Sequence, residues 1–331
     1  MNIFGYQIDL AIASIVIAII FGLITLFAWI LPRRAKLRKQ DEERLQSIEI
    51  QAKETSENIK LIQKHFDIPI YVDGLPDAPR SVFRPFLKGL KLMTEYKWDK
   101  AIGEFKKALK EASATQLKVG LYSIIGICYY LSDEFDFAIE NYSKFLTLAK
   151  KSNEKEGELV ALSMLGIVFR NKGDLDKALE YYQKSLVISK EINDKKMEAA
   201  TFFSIGLTYQ MKKALDIAEN NYKEALRIFR EIDDKEGIAK SLGNLGLVYQ
   251  ANGILDEAIG YYQSALKLNE EIGRKKGVAA QINNIGSVYE AKGEKEKALK
   301  YFEDALKIII QIGTQKEIEK VKENIKRLKG E

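Results

Sequence analysis

Two stretches of sequence decide the fold: residues 165–186, LGIVFRNKGDLDKALEYYQKSL, and residues 245–266, LGLVYQANGILDEAIGYYQSAL. The two stretches share glycine, alanine, tyrosine and leucine at equivalent positions, for example Gly166 and Gly246, Ala178 and Ala258, and Leu186 and Leu266. The same pattern recurs every 40 residues along the chain, which identifies an internal repeat. The repeated glycines are Gly126, Gly166, Gly206, Gly246 and Gly286, and the aromatic residues that follow them in each repeat are Tyr142, Tyr182, Tyr222, Tyr262 and Phe302.

Each repeat is predicted to form two helices that meet at a turn. Gly173, Gly253 and Gly293 follow the first helix, where glycine adopts a left-handed backbone conformation most easily. A stripe of aromatic and aliphatic residues then runs along the second helix. The repeated glycine inside the first helix costs about 1 kcal/mol relative to alanine. Its recurrence therefore predicts a structural role, in which it lets a second helix approach closely.

This pattern of small and aromatic residues on paired helices resembles the tetratricopeptide repeat family, and the 40-residue spacing is similar to that of kinesin light chains. The resemblance covers residues 83–328. It implies an all-α fold in which six repeats, residues 86–313, form a right-handed α-solenoid. Residues 314–331 would then form a capping helix with a polar outer face. The first repeat, around Gly89 and Phe105, is atypical because it precedes the next by 37 residues.

A single transmembrane helix is predicted at residues 10–31, which contain no charged side chain. Such a helix reaches about 33 Å, and the hydrocarbon core of a bilayer is about 30 Å thick. A cleaved secretory signal is the alternative, but residues 1–9 contain no lysine or arginine. Cations after the span place the repeats in the cytoplasm and residues 1–9 outside, and they could also contact anionic lipid head groups. These cations are Arg33, Arg34, Lys36, Arg38 and Lys39.

Residues 32–66 are predicted to form a basic juxtamembrane segment and a helical stalk. Apolar residues between Leu45 and Phe66 follow alternating steps of three and four, the pattern of a short coiled-coil seam. Two interpretations stay open, a weak homo-oligomer through the stalk or a lone amphipathic helix. Residues 67–85 contain four of the five prolines and are predicted to form a linker, because proline breaks helices.

The resemblance also implies where a partner binds, since the first helix of each repeat lines the concave groove in the family. Helical periodicity selects three ladders of groove residues, with an apolar floor and a polar rim. Phe203, Leu207 and Met211 form an apolar stripe that suits an amphipathic helix or an extended peptide; packing between helices is the alternative. Asn283 and Asn284 could hydrogen-bond a peptide backbone or serve in packing. The other predicted groove residues are Ser123, Ile127, Tyr130, Ser163, Ile167, Arg170, Gln210, Leu247, Gln250, Ser287 and Glu290.

No sequence motif points to catalysis, a cofactor or a metal site. The single histidine, His65, falls in the stalk, and the single cysteine, Cys128, falls in a repeat helix, so neither has an evident catalytic partner. The net charge of +5 matches the five juxtamembrane cations, which argues against a nucleic-acid surface on the repeats. Two functions stay open: a membrane-anchored scaffold that recruits cytoplasmic proteins, and a peptide-responsive regulatory receptor that controls a partner enzyme or assembly machine.

Overall fold

The computed structural model describes residues 80–312 and 315–330. The predicted transmembrane helix, the juxtamembrane cations, the stalk and the linker up to residue 79 lie outside the described residues. Among the helices that are described, none combines the length and the apolar character needed to cross a membrane.

The described residues form thirteen α-helices and no β-strand, which confirms the all-α prediction. They divide into two compact units, one ending at Ile188 and the other beginning at Ser189. The first unit contains α1 (Arg80–Thr94), α2 (Trp98–Glu111), α3 (Thr115–Leu131), α4 (Phe135–Lys151), α5 (Lys155–Lys172) and most of α6 (Leu175–Glu191). The second unit contains α7 (Lys195–Met211), α8 (Leu215–Glu231), α9 (Lys235–Ala251), α10 (Leu255–Glu271), α11 (Lys275–Ala291), α12 (Lys295–Ile312) and α13 (Gln315–Lys329).

The helices alternate between two roles within the repeats. We call the first helix of each pair the A helix (α1, α3, α5, α7, α9, α11) and the second the B helix (α2, α4, α6, α8, α10, α12). Consecutive helices pack against each other within each unit, as α3 does against α4 and α9 against α10. Neighbouring A helices also touch, namely α3 with α5, α7 with α9, and α9 with α11. The helical repeat is confirmed, with α13 after the last pair.

The first repeat begins earlier than predicted. Residues 80–85, which the proline pattern assigned to the linker, belong to α1, and Pro85 lies inside that helix. Val82, Phe86 and Leu90 are fully buried, and their spacing of four places them on one side of α1. Burying each such side chain contributes about 1.5–3 kcal/mol, which offsets the helical hydrogen bond that proline removes.

The turns follow a period of 20 residues, half of the sequence repeat. Each of these turns contains a residue with positive φ, and the amide after it often closes the helix end; Ile254 N, for example, donates to the carbonyl of Tyr249 at 2.9 Å. Gly173, Gly253 and Gly293 have φ of +93°, +76° and +76°, as predicted. The other positive-φ residues of this period are Asp133, Asn153, Asn193, Lys213, Asp233 and Gly273.

The repeated glycine of each A helix lies against the ring of the repeated aromatic residue on the B helix. A Cβ atom added at Gly246 would lie 2.5 Å from Cε1 of Tyr262, and one at Gly206 would lie 2.7 Å from Cδ1 of Tyr222. Atoms in folded proteins do not approach this closely, so the ring fits only where the helix lacks a side chain. The same arrangement of glycine and aromatic ring occurs at Gly126, Gly166, Gly206, Gly246 and Gly286.

The last helix covers the end of the second unit. Val321 and Leu328 of α13 are buried in a cluster with Ala298 and Phe302 of α12. The apolar side of α13, which lies within the predicted capping segment, thus faces the last repeat.

Candidate partner-binding face

One side of each A helix in the second unit remains at least partly accessible. Four of the accessible residues on each of these helices are spaced i, i+4, i+7 and i+11, which places those four on a single side of the helix. They occupy equivalent positions on α7, α9 and α11, and these helices touch their neighbours. We call the resulting surface the A-helix face. Its residues are Ala200, Ser204, Leu207 and Met211 on α7, Lys240, Asn244, Leu247 and Ala251 on α9, and Ala280, Asn284, Ser287 and Ala291 on α11.

The A-helix face combines apolar and amide side chains. Leu207 and Leu247 are half-buried and contact the core with part of their surface. Asn244 and Asn284 occupy the same position on neighbouring helices, and the Asn244 Nδ2 donates to the carbonyl of Lys240 at 2.9 Å. An amide carries both donors and an acceptor, so these side chains suit the backbone of an extended peptide. The leucines suit its apolar side chains.

Three predicted groove residues of the first unit lie in the interior. Ser123 and Ser163 are 1% and 7% exposed, and Ile127 has no exposed surface. The Ser163 hydroxyl lies 2.8 Å from that of Ser185, so it is already hydrogen-bonded across the helix pair. The prediction that these three residues line an accessible groove is therefore wrong, because the packing of the first unit encloses them.

Three other predicted residues of the first unit, Tyr130, Ile167 and Arg170, are partly accessible. The Tyr130 hydroxyl accepts a hydrogen bond of 2.6 Å from Nδ2 of Asn171, and this bond joins α3 to α5. Burial raises the pKa of Tyr130, so its hydroxyl stays neutral. Any contact between these residues and a partner stays a prediction.

The predicted apolar stripe of α7 is divided between the core and the surface. The Phe203 ring centroid lies 5.5 Å from that of Tyr222, and Phe203 and Leu207 both pack against the core of the second unit. Met211 is 54% exposed. The alternative of helix packing therefore applies to Phe203, whereas Leu207 and Met211 belong to the A-helix face.

The predicted polar rim serves the interior of the repeats. The Tyr222 hydroxyl donates to Oε1 of Gln210 at 2.6 Å, and the Tyr262 hydroxyl donates to Oε1 of Gln250 at 2.8 Å. Burial raises the pKa of Tyr262, which is consistent with a neutral hydroxyl that needs an acceptor. Gln210 and Gln250 thus stabilise the same aromatic residues that the repeated glycines accommodate.

Replacing Gln250 by leucine should destabilise the second unit by about 1 kcal/mol, because the Tyr262 hydroxyl would lose its acceptor. Unfolding in urea, followed by circular dichroism, measures this loss. The control is Tyr262→Phe, which removes the hydroxyl itself. We expect the double variant to be little less stable than Tyr262→Phe alone. Fully additive losses of stability would mean that the hydrogen bond contributes nothing.

The last repeat uses the rim position differently. Phe302 has no hydroxyl, and Glu290 accepts two hydrogen bonds from Arg327 of α13, Nε to Oε1 at 3.0 Å and Nη2 to Oε2 at 2.8 Å. Nearby, the Ser287 hydroxyl donates to the carbonyl of Asn283 at 3.2 Å. Glu290 therefore joins α11 to the capping helix.

One predicted ladder, which contains Ser123, Ser163, Phe203 and Asn283, also passes through Gly243. Phe203 and Asn283 are partly accessible, as are Ser204, Asn244 and Asn284 one place later, but Gly243 is buried. A Cβ atom there would lie 2.9 Å from Nε2 of Gln281, so this position faces the neighbouring A helix.

The described residues give no positive evidence for catalysis. Within them, no cluster of histidine, cysteine, aspartate and glutamate side chains is arranged to hold a metal ion. Cys128 is buried, and burial raises the pKa of its thiol, which disfavours the reactive thiolate. His65 lies outside the described residues.

Protein-family models identify tetratricopeptide repeats at residues 119–191, 160–231 and 237–311. Together these matches cover more than half of the chain. No curated protein matches the sequence significantly.

Several solved structures share this fold. BtubC (BKLC) from P. vanneervenii is 20% identical over 71% of this chain and 93% of its own, with a TM-score of 0.56. Aspartyl phosphate phosphatase F from Bacillus subtilis is 14% identical over 100% of this chain and 96% of its own, with a TM-score of 0.60. A Rap protein complexed with competence and sporulation factor is 15% identical over 95% and 97%, with a TM-score of 0.58. At these identities the likeness shows the fold alone, but the matches of the family model show that the chain belongs to the tetratricopeptide repeat family.

Proposed function

We propose that this chain is a membrane-anchored scaffold that recruits cytoplasmic proteins through its A-helix face. The observation that carries the proposal is the row of amides and leucines at equivalent positions of successive A helices. Packing uses the tyrosines, glycines and rim glutamines of the repeat, whereas Asn244 and Asn284 are partly accessible. Side chains of this kind suit a peptide that lies across several A helices.

The membrane part of the proposal is supported by the sequence. Residues 10–31 are uncharged over a bilayer length, and five cations follow between residues 33 and 39. By the positive-inside rule this arrangement holds the repeats at the cytoplasmic surface. A partner bound by the A-helix face would therefore be concentrated at the membrane.

The test compares the proteins labelled by the full-length chain in native membranes with those labelled by an Asn244→Glu, Asn284→Glu double variant. We expect partners to be lost at least about tenfold, which corresponds to about 1.4 kcal/mol of binding free energy. The matched control is Asn220→Glu, Gln263→Glu, which places the same charges on exposed sites of B helices. Circular dichroism checks that both variants fold. An unchanged set of partners in the first variant would contradict the proposal.

A second candidate is the peptide-responsive regulatory receptor. Its support is the fold shared with a Rap protein solved in complex with competence and sporulation factor. The two candidates differ in what a bound peptide does to the repeats. Small-angle X-ray scattering of the chain with and without a bound partner peptide distinguishes the two candidates. Compaction supports the receptor, and an unchanged radius of gyration supports the scaffold.

A further inference from the structure

One side of α1 is exposed at positions that are buried in every later repeat. Its residues are Arg84, Lys88 and Lys91, which are spaced i, i+4 and i+7 and therefore lie on a single side of the helix. We call this side the end face. When the repeats are aligned on their A-helix glycines, the fifteen equivalent residues of the later repeats are all buried. They are Leu121, Ile125, Cys128, Ala161, Leu165, Val168, Thr201, Ile205, Thr208, Ser241, Leu245, Val248, Gln281, Ile285 and Val288.

In the later repeats, this side of the A helix packs on the B helix of the preceding repeat. Ile285 and Val288 of α11 form a buried cluster with Tyr262 of α10. Leu245 of α9 clusters with Tyr222 of α8 in the same way. The described residues begin at residue 80, the first of α1. The end face is therefore the side of α1 on which a preceding part of the chain would pack.

The end face continues onto α2 as one basic patch. Nζ of Lys88 and Nζ of Lys107 both donate to Oε1 of Glu104, at 2.9 and 2.8 Å, so cations of the two helices lie around one carboxylate. The two lysine side chains remain 64% and 66% exposed. Lys100 and Lys110 are exposed on the same side of α2 as Lys107. Because one carboxylate cannot balance these cations, the patch keeps a net positive charge.

The charge of the first repeat sets it apart from the others. Residues 80–111 contain nine lysine or arginine side chains and four acidic ones, a net charge of +5. The other five repeats, each counted from the start of its A helix to the end of its B helix, have net charges between −2 and +2. A terminal repeat needs a polar outer surface for solubility, but a mixture of both signs meets that need. The excess of one sign indicates a partner of the opposite sign.

A partner of that sign lies in the chain itself, directly before α1. Residues 41–79, which we call the acidic segment, contain nine acidic side chains and four lysine or arginine side chains, a net charge of −5. This charge is equal and opposite to that of the first repeat. Because the acidic segment is joined to α1 at residue 80, its local concentration at the end face is on the order of millimolar. A separate acidic protein would have to compete with that concentration.

We propose that the acidic segment docks on the end face of the same chain. Its carboxylates pair with the cations of the end face and with the exposed lysines of α2, and it covers the side of α1 that a preceding repeat would cover. If it were undocked and extended, the acidic segment could reach about 130 Å. Docking therefore holds the repeats close to the part of the chain before residue 41. The inference goes beyond the recruitment proposed above, since it concerns how the repeats are held and not what they bind.

Carbodiimide crosslinking of the full-length chain in detergent tests the contact, because the reagent joins amines to carboxylates that touch them. We expect Lys88, Lys91 and Lys107 to be joined to acidic residues between 41 and 79. Raising the salt concentration to about 1 M should reduce these crosslinks about tenfold, because salt screens the attraction. The crosslink between Lys88 and Glu104 is the internal positive control, since that pair is already in contact. Crosslinks confined to residues 80–111 would overturn the proposal.

Charge reversal tests whether this attraction holds the acidic segment. In the variant Arg84→Glu, Lys88→Glu, Lys91→Glu, we expect amide hydrogen exchange of residues 41–79 to be about tenfold faster than in wild type. Changing to lysine the carboxylates that the crosslinks identify, within the same variant, should restore the slow exchange. Circular dichroism checks that each variant folds. Equal exchange in wild type and the first variant would contradict docking.

A matched control makes the same change in charge elsewhere on the repeats. Its three lysines are exposed on the B helices of other repeats, and their replacement should leave the exchange of residues 41–79 unchanged. The substitutions are Lys151→Glu, Lys267→Glu and Lys300→Glu. Faster exchange in this control as well would mean that the net charge of the chain, and not the end face, acts on the acidic segment.

Other occupants of the end face would give different results. In a mixture of isotope-labelled and unlabelled chains, crosslinks between the two kinds would assign the end face to a second copy. Slower exchange of residues 84–91 only in vesicles that contain phosphatidylserine, and not in detergent or phosphatidylcholine, would assign it to anionic lipid. Either result would overturn docking within one chain. The Asn244→Glu, Asn284→Glu variant should keep the crosslinks of the acidic segment, so this inference and the proposed function can fail separately.

Discussion

We expect the substitution Gly246→Ala to lower the free energy of unfolding of the second unit by about 2–3 kcal/mol, because the added methyl group has no space. The nearest atoms would be Cε1 of Tyr262 at 2.5 Å and Cδ1 at 2.7 Å. Tyr262 is fully buried, so its ring can move only by disturbing the packing of the repeat. Urea unfolding of the full-length chain, with circular dichroism as the signal, measures the change.

The same repeat contains a matched control. Gly260 lies on the exposed side of α10, and a Cβ atom there meets nothing within 4 Å. Gly260→Ala should therefore stabilise the chain by about 0.5–1 kcal/mol, the usual gain of alanine over glycine in a helix. Adding Gly246→Ala to Tyr262→Ala should cost almost nothing further, since the methyl group enters the vacated space. Equal shifts for both glycine substitutions would show that steric fit is not the reason for the repeat.

The repeat architecture could be predicted from the sequence because its determinants are residue types at fixed spacing. Gly246 and Tyr262 lie in one repeat unit, and both are recognisable without knowledge of their contact. The turn glycines were equally recognisable, since Gly253 supplies a left-handed conformation that few residues adopt. At these positions the local preference of the residue type and the tertiary contact favour the same structure.

The start of the first repeat could not be predicted in the same way. Proline favours a linker locally, but α1 contains Pro85 because Val82 and Phe86 are buried by tertiary contacts. Such contacts involve residues distant in the sequence, and no local pattern records their strength. The structure thus moves the boundary from residue 86 to Arg80.

The candidate face shares Leu207, Met211, Leu247 and Ser287 with the predicted groove, and the remaining difference has a geometrical cause. Gly243 lies against Gln281 of the neighbouring A helix, whereas Asn244, which is rotated by about 100° around the helix axis, is partly accessible. The predicted polar rim differs from the structure for another reason. Gln210 and Gln250 are polar and would suit a surface, but each accepts a hydrogen bond from a buried tyrosine, which single-helix periodicity does not consider.

The capping helix provides the second large effect. Val321→Asp should destabilise the second unit by about 3–4 kcal/mol, because a carboxylate would be placed in an apolar site. Val321 is 4% exposed and clusters with Ala298 and Phe302. Lys322→Asp is the matched control, since the neighbouring side chain is exposed. Amide hydrogen exchange of α13 and unfolding in urea measure the effect of each substitution on stability.

Separation of α13 from the last repeat should also change the behaviour of the chain in solution. It would expose Phe302 and break the paired hydrogen bonds between Arg327 and Glu290. Repeat proteins require a terminal unit with a polar outer face to stay soluble, so Val321→Asp should self-associate at concentrations where Lys322→Asp does not. Light scattering coupled to size-exclusion chromatography measures this self-association. If α13 exchanges slowly in both variants and neither associates, the buried contact of Val321 is not what holds the cap.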